Sequence, residues 1–157
     1  MKNNKYAFTM IEMIFVIVVL GILAAIAVPK FAATRSDAEI TKGRADVAAI
    51  RSSIINERQT RLIKGDGSFV NILYNTNGYF DSNGTASTDA KLLMYPIQPQ
   101  DKDGHWHSAT TTSSTAGANV STYKFKILGE DTTFTYTQSD GKFTCSRTDT
   151  HCSKLID

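Results

Sequence analysis

The sequence is poor in cysteine. It has two cysteines in 157 residues, Cys145 and Cys152, and only His151 lies beside them. A structural zinc site needs four ligands, so half of a zinc site and a pair of free thiols are the weaker alternatives. The pair favours a disulfide, because a membrane-targeting segment precedes it. A disulfide would place this part of the chain in an oxidising compartment.

Several sequence patterns of other protein classes are missing. There is no nucleophile elbow, no HExxH pattern, no glycine-rich phosphate loop and no internal repeat, so we expect neither an enzyme activity nor a cofactor. Residues 65–157 carry seven basic and ten acidic side chains, a net charge of −3. A surface without a basic surplus cannot neutralise phosphates, which argues against a dedicated nucleic-acid-binding domain.

Charge is also nearly absent from residues 8–29, where Glu12 is the only charged side chain. The 21 residues from Phe8 to Val28 would form a helix about 32 Å long, enough to cross a bilayer core of about 30 Å. A carboxylate in such a helix costs about 2.5–3.5 kcal/mol near the bilayer centre and less near its edge. The presence of the Glu12 carboxylate in a helix of this kind therefore needs an explanation.

The helical pattern continues beyond the apolar run. Apolar residues recur at spacings of seven, three and four, and Arg44, Arg51 and Arg58 mark another face. The apolar positions are Ile40, Val47, Ile50 and Ile54. The sequence KGDG at 64–67 is a stop signal, with Gly65 suited to the left-handed position after a helix. One helix over residues 8–63 is predicted.

The remainder predicts β-structure. Alternating apolar and polar residues predict three antiparallel strands, at residues 121–128, 132–138 and 142–146. Residues 129–131 would connect the first two strands, and Asp140 with Gly141 is a tight hairpin signal before the third. Residues 108–122 are predicted to be a surface loop, and either helix or strand is open for residues 91–95. The predicted fold class is α+β, a long N-terminal helix packed on a small antiparallel sheet.

A secretory signal peptide is one interpretation of the first thirty residues. Lys2 and Lys5 would be its basic region and the residues from Ala25 to Ala27 an A-x-A cleavage site, so that a soluble binding domain starts at Val28. The apolar run is long for a signal peptide, and Glu12 would have no purpose in it.

The other interpretation rests on a resemblance. The segment AFTMIEMIFVIVVLGILAAIAVPKF, from Ala7 to Phe31, resembles the N-terminal segment of type IV pilins and of the pseudopilins of type II secretion systems. The resemblance implies that a prepilin peptidase cuts between Ala7 and Phe8 and methylates the new amine of Phe8. The family usually has glycine before the cut, where this chain has alanine. Gly21 and Pro29 fall where the family's helix loosens during filament assembly.

The resemblance also implies a role for Glu12, which would pair with the liberated amine of Phe8 in a neighbouring subunit. The alternative is that Glu12 lies at the membrane interface and reaches the head groups. Residues 1–7 would be the leader, 8–29 the transmembrane and polymerisation half of the helix, 30–64 its amphipathic half, and 65–157 a β domain with a C-terminal disulfide loop. The implied place is the bacterial inner membrane, with the β domain periplasmic, and then a filament.

Other implied partners are minor pilins or pseudopilins and an inner-membrane assembly platform with a cytoplasmic ATPase. The resemblance leaves open a secretion pseudopilus and a pilus for DNA uptake, adhesion or motility, and nucleic acid is a partner only in the second. Modest size and a simple sheet favour the first slightly, whereas the terminal cysteine pair is more similar to true pilins.

Two weaker sites complete the sequence analysis. Asp101 and Asp103 with Gly104 are similar to the start of a calcium loop, but an EF-hand needs a later glycine and a closing glutamate. Some major pseudopilins bind calcium, yet a polar exposed loop anchored by Trp106 is favoured at residues 101–107. Asn83, in DSNGT, matches the acidic acceptor pattern of bacterial N-glycosylation, although an ordinary turn is favoured there.

Overall fold

The computed structural model describes residues 8–75, 78–80, 92–113 and 119–156 and has an α+β fold. A long helix is followed by a two-stranded hairpin, a four-stranded antiparallel sheet in the order β3-β4-β5-β6, and a short helix. The elements are α1 (Met10–Ile63), β1 (Tyr74–Asn75), β2 (Gly78–Tyr79), β3 (His105–Ser113), β4 (Asn119–Ile127), β5 (Glu130–Thr137), β6 (Lys142–Cys145) and α2 (Cys152–Ile156). The predicted fold class is confirmed.

The chain divides into two compact units. The first ends at Asp37 and the second begins at Ala38. The boundary lies within α1, so the helix residues from Ala38 onward belong to the same unit as the sheet and α2.

Helix α1 ends in a pair of hydrogen bonds around Gly65, whose φ is +85°. The N–H of Gly65 donates to the carbonyl of Leu62 at 3.0 Å, and the N–H of Asp66 donates to the carbonyl of Arg61 at 2.9 Å. This is the Schellman pattern, which satisfies carbonyls that a helix end leaves without partners. The predicted stop at this glycine is confirmed.

The three predicted strands are present as β4, β5 and β6, with their boundaries shifted by one or two residues. Glu130 and Asp131 were expected in a connection, but they lie in β5. The turn between β4 and β5 consists of Leu128 and Gly129, whose φ angles are +53° and +80°. Two consecutive positive φ angles are the type I′ arrangement, whose twist matches that of the flanking strands.

Strand β3 was not predicted. It pairs antiparallel with β4, so the predicted loops at 101–107 and 108–122 are wrong wherever β3 and β4 lie. Threonine is β-branched and favours strands, but after Trp106 the segment lacks the large apolar side chains that reveal a period of two. A register shift between Trp106 and Ser108 also breaks the alternation. The described residues of 91–95 form neither helix nor strand.

The core lies between the second part of α1 and the inner face of the sheet. Trp106 is fully buried, and the centres of its indole and of the Phe125 and Phe134 rings are 5.1 and 5.3 Å apart, respectively. The five aromatic residues of the predicted strands are all buried: Tyr123, Phe125, Phe134, Tyr136 and Phe143. From the helix, Val47, Ile50 and Ile54 pack in the same core.

Two buried tyrosines hold the segment that follows α1 against the sheet. The hydroxyl of Tyr136 donates to the carbonyl of Val70 at 2.7 Å, and the hydroxyl of Tyr123 accepts from the N–H of Leu73 at 3.2 Å. Burial raises the pKa of both phenols, so both stay neutral and keep these bonds at physiological pH.

Gly43 allows α1 to approach the sheet closely. A Cβ atom at this position would lie 2.6 Å from Cδ2 of Leu155 and 2.9 Å from Cε1 of Phe125. Real side chains do not pack at such distances, because protein interiors are already close-packed. Glycine inside a helix costs about 1 kcal/mol relative to alanine, and here it permits the contact between α1 and α2.

Three arginines spaced seven apart join α1 to the rest of its unit. Nε of Arg44 donates to the carbonyl of Lys154 at 2.5 Å, and Nε of Arg51 donates to the carbonyl of Phe143 at 3.0 Å. The guanidinium carbon of Arg58 lies 4.0 Å from the centre of the Phe69 ring, a cation–π geometry. The arginine face noted in the sequence therefore attaches α1 to α2, to strand β6 and to the segment that follows α1.

Asp46 of α1 should make the stability of this unit depend on pH. Its half-buried carboxylate accepts from Nε1 of Trp106 at 3.2 Å. Burial raises its pKa, although the Trp106 hydrogen bond and the charges of Lys42 and His105 oppose the shift. A raised pKa means that the ionised form opposes folding above that pKa, and that this penalty disappears as the pH falls.

We therefore expect Asp46→Asn to be at least as stable as the wild type at pH 7, with the difference shrinking toward pH 4. Fluorescence of Trp106, the single tryptophan, during urea unfolding measures this. The control Asp101→Asn should instead be less stable than the wild type at pH 7. A hydrogen bond from Lys126 lowers the pKa of Asp101, so its ionised form favours folding. A difference between Asp46→Asn and the wild type that does not change with pH would contradict the prediction.

Candidate functional site in the N-terminal apolar helix

The start of α1 is fixed by Thr9. Its Oγ1 accepts from the N–H of Glu12 at 3.3 Å, and its carbonyl accepts from the N–H of Met13 at 3.3 Å. Threonine followed three residues later by glutamate is the capping-box pattern. Sequence reasoning missed this function of Thr9, although the pattern was visible. The cap places Glu12 in the first turn, where the helix dipole favours a carboxylate.

The helix surface that follows is apolar and exposed. Phe8, Ile11 and Phe31 are 71–72% exposed, and even the least exposed large apolar side chain between them, Val19, is 37% exposed. Among the described residues, α1 is the one helix that is long and apolar enough to span a membrane. Contiguous apolar surface of this extent is unfavourable in water and marks a surface that lipid or protein covers.

Gly21 and Pro29 both lie inside α1, which runs through them without a break. A Cβ atom at Gly21 would meet no atom within 4 Å, so packing within the chain does not require glycine there. Pro29 has no N–H to donate to the preceding turn. Both residues weaken the local helix, because glycine also lowers helix propensity.

The two cysteines form the disulfide that the sequence favours. Cys145 at the end of β6 is bonded to Cys152 at the start of α2, and their Cα atoms are 5.8 Å apart. Cys152 is fully buried. The bond attaches α2, whose Leu155 packs in the core, to the edge of the sheet.

The candidate calcium ligands have protein partners. A carboxylate oxygen of Asp101 lies 2.7 Å from Nζ of Lys126, and Oδ1 of Asp103 accepts from the N–H of Gly129 at 2.9 Å. Among the described residues, no group of three or more potential metal ligands comes together. Asn83 and Ala7 lie outside the described residues.

Comparison with known proteins gives one match, to the N-terminal segment. Residues 2–28 match the family model described as the prokaryotic N-terminal methylation motif. This N-terminal segment therefore carries the motif that is the hallmark of type IV pilins and pseudopilins. No curated protein and no solved structure matches it.

The matched residues include Ala7, Phe8, Glu12 and Gly21, whereas Pro29 follows the match by one residue. In type IV pilin-like proteins this motif implies processing by a prepilin peptidase and assembly with other pilin subunits. The exposed apolar part of α1 is consistent with a single-pass anchor in the inner membrane.

Proposed function

We propose that this chain is a non-enzymatic structural subunit of a type II secretion pseudopilus or of a type IV pilus-like filament. A prepilin peptidase cleaves between Ala7 and Phe8 and methylates the Phe8 amine. The apolar part of α1 holds the subunit in the inner membrane with its β domain in the periplasm. The same surface then packs against other copies when the filament grows.

One observation carries the proposal: a single carboxylate occupies the first turn of an exposed apolar helix within a methylation motif. Glu12 lies four residues after Phe8, so cleavage creates a positive amine one helical turn away. A charge in an apolar medium is tolerated when it is paired. In a staggered bundle, the Phe8 amine of an incoming subunit pairs with Glu12 of its neighbour and sets the register.

Gly21 and Pro29 support filament assembly, and the disulfide supports the proposed location of the β domain. Gly21 and Pro29 weaken the helix, which allows part of it to extend as subunits pack. The remaining partners are minor pilins or pseudopilins and an assembly platform with a cytoplasmic ATPase. The disulfide between Cys145 and Cys152 supports a periplasmic β domain, because disulfides persist in that compartment.

The mature N-terminus tests the proposal directly. We expect mass spectrometry of the protein purified from its native membrane to find N-methylated phenylalanine, Phe8, as the first residue. Deleting the prepilin peptidase should leave the full leader in place. A mature chain that starts at Val28 would instead establish cleavage by signal peptidase and a soluble secreted domain, and would overturn the proposal.

The choice between the two filament systems needs a cellular test. A strain that lacks this gene is expected to lose protein secretion while keeping surface pili and transformation. This expectation follows the slightly favoured pseudopilin, whose small sheet has four strands. Loss of piliation, motility or DNA uptake with normal secretion would assign the subunit to a pilus, which is the function that the terminal cysteine pair favours.

A further inference from the structure

A leucine occupies a strained position in the turn between β4 and β5. Leu128 has a φ of +53° and is followed by Gly129, with a φ of +80°. Positive φ favours glycine, asparagine and aspartate, and it is costly for a bulky side chain. Leu128 is also 44% exposed, so almost half of an apolar residue faces solvent. Backbone outliers that a fold retains cluster at functional sites, which favours a partner that covers Leu128.

Carboxylates flank this leucine. Glu130 begins β5, and its side chain is 66% exposed. On the other side of the turn, Oδ1 of Asp103 accepts from the N–H of Gly129 at 2.9 Å. The carboxylate of Glu130 lies 3.2 Å from Nε2 of His151, but an ion pair with so exposed a member is worth little. Residues 128–130, the turn tip, therefore present an apolar side chain with a carboxylate beside it.

An open apolar pocket of about 220 Å³ lies between α1 and β6. Its walls are formed by Arg51, Ile55, Gly141, Lys142, Phe143 and Thr144. The two charged members, Arg51 and Lys142, are both basic. Lys142 has Asp140 as an ion-pair partner at 2.9 Å, again at an exposed site. An apolar cavity of about 150 Å³ holds a benzene molecule, so this pocket has room for one leucine side chain.

The turn tip and the pocket lie at opposite ends of the sheet. Glu130 is the first residue of β5, whereas Lys142 pairs with Thr137, the last residue of β5. Strand β5 has eight residues, so its two ends are about 23 Å apart. The two surfaces of one chain therefore cannot meet, but those of two copies can. A contact between two different surfaces is heterologous and repeats from copy to copy, which generates a ring or an open filament.

We infer that the turn tip of one subunit docks into the pocket of the next, with Leu128 in the pocket and Glu130 beside Arg51 and Lys142. The apolar side chain leaves water, and the carboxylate meets the two cations at the rim. The exposed ion pairs of Glu130 and Lys142 within one chain can exchange partners, because each is worth little. This contact rests on the proposed filament function and adds a second contact to the one through the apolar helix.

Cysteine cross-linking in sheared filaments of the full-length chain tests the docking. Both native cysteines are in the disulfide, so only introduced thiols react. The variants are co-produced with the wild-type chain, which maintains filament formation. We expect Leu128→Cys with Ile55→Cys in one chain, treated with a short bismaleimide, to give covalent multimers. Each single variant should stay monomeric, because a heterologous contact places Leu128 beside Ile55 of another copy and not beside a second Leu128.

Lys124→Cys with Ile55→Cys is the matched control for cross-linking. The side chain of Lys124 is 46% exposed, much like Leu128, but it lies about 13 Å from the turn tip along β4. Equal multimer yields from the two double variants would overturn the docking. Filaments in which Leu128→Cys with Ile55→Cys gives no multimers would overturn the docking and leave the filament function intact. A wild-type chain that forms no filament at all would overturn both.

A substitution that suits the turn gives a second measurement. Asparagine tolerates positive φ, so Leu128→Asn should be at least as stable as the wild type in Trp106 fluorescence melts. It removes the apolar side chain from the contact, so we expect about fivefold or more less sheared filament per cell. Lys124→Asn should assemble like the wild type. Normal filament yield from Leu128→Asn, or an equal loss from both variants, would contradict the docking.

Discussion

Replacing Glu12 with alanine should stop filament growth while leaving the protein in the membrane. The substitution removes the only charge between Phe8 and Pro29, so insertion becomes easier. The Phe8 amine of an incoming subunit then finds no partner in its neighbour. Removing one member of a buried ion pair costs about 3–5 kcal/mol, so we expect on the order of 10²- to 10⁴-fold less sheared filament per cell, measured by immunoblotting.

Comparing Glu12→Ala with two further variants separates the effect of charge from the effect of side-chain shape. Glu12→Gln keeps the size and polarity of the side chain and should fail like Glu12→Ala. Met10→Ala removes an apolar side chain that is 84% exposed in the same first turn and should assemble. Mass spectrometry must find Phe8 as the first residue in each variant, which excludes a defect in processing. Normal filaments from Glu12→Ala would show that Glu12 only reaches the lipid head groups.

Removing the disulfide should destabilise the β domain strongly. The bond closes a loop with a sequence separation of seven, and the chain-entropy model assigns about 2.5 kcal/mol to such a loop. The double variant Cys145→Ser with Cys152→Ala leaves no free thiol and no buried hydroxyl. We expect its melting temperature to fall by on the order of 10 °C, measured by Trp106 fluorescence in detergent.

Reduction of the wild type provides the matching control. A reductant should lower the wild-type melting temperature to that of the double variant and should have no effect on the variant itself. If reduced and oxidised wild type melt together, then the contacts of Leu155 hold α2 without help from the disulfide. Filament assembly through the apolar helix should tolerate the double variant at low temperature, where the β domain remains folded.

The sequence predicted those parts of the fold that depend on local chemistry. The end of α1 depends on one glycine that takes a positive φ, and Gly65 was recognisable as a stop signal. Strands β4 and β5 place apolar side chains on one face in strict alternation, so their period of two was visible. The terminal disulfide joins residues that are close in sequence and was favoured for the same reason.

The features that sequence analysis missed depend on contacts between distant residues. Strand β3 is stabilised by its pairing with β4, and its threonines and serines gave no apolar period. Gly43 looked like an unfavourable residue inside a helix. The structure shows why glycine is needed there, because Leu155 and Phe125 leave no room for a Cβ atom. Arg51 similarly finds its carbonyl partner on a strand 92 residues later.

The motif residues of the candidate site could be predicted from the sequence, whereas the exposure of the helix around them could not. Phe8, Glu12 and Gly21 belong to a linear motif whose spacing is the signal, so sequence alone located them. The capping function of Thr9 was not predicted, although Thr9 and Glu12 together form a capping pattern in the sequence. The exposure of the apolar face required the structure, since buried core helices have a similar composition.

The contact between Gly43 and Leu155 joins residues 112 positions apart, and this separation has a consequence for export. A chain that crosses the membrane with its anchor first presents Gly43 long before Leu155. The helix cannot complete its docking until α2 has been delivered, and contacts between such distant residues form slowly. During that interval the incomplete domain is open to chaperones, proteases and oxidants, so the arrival of Leu155 determines when this vulnerable period ends.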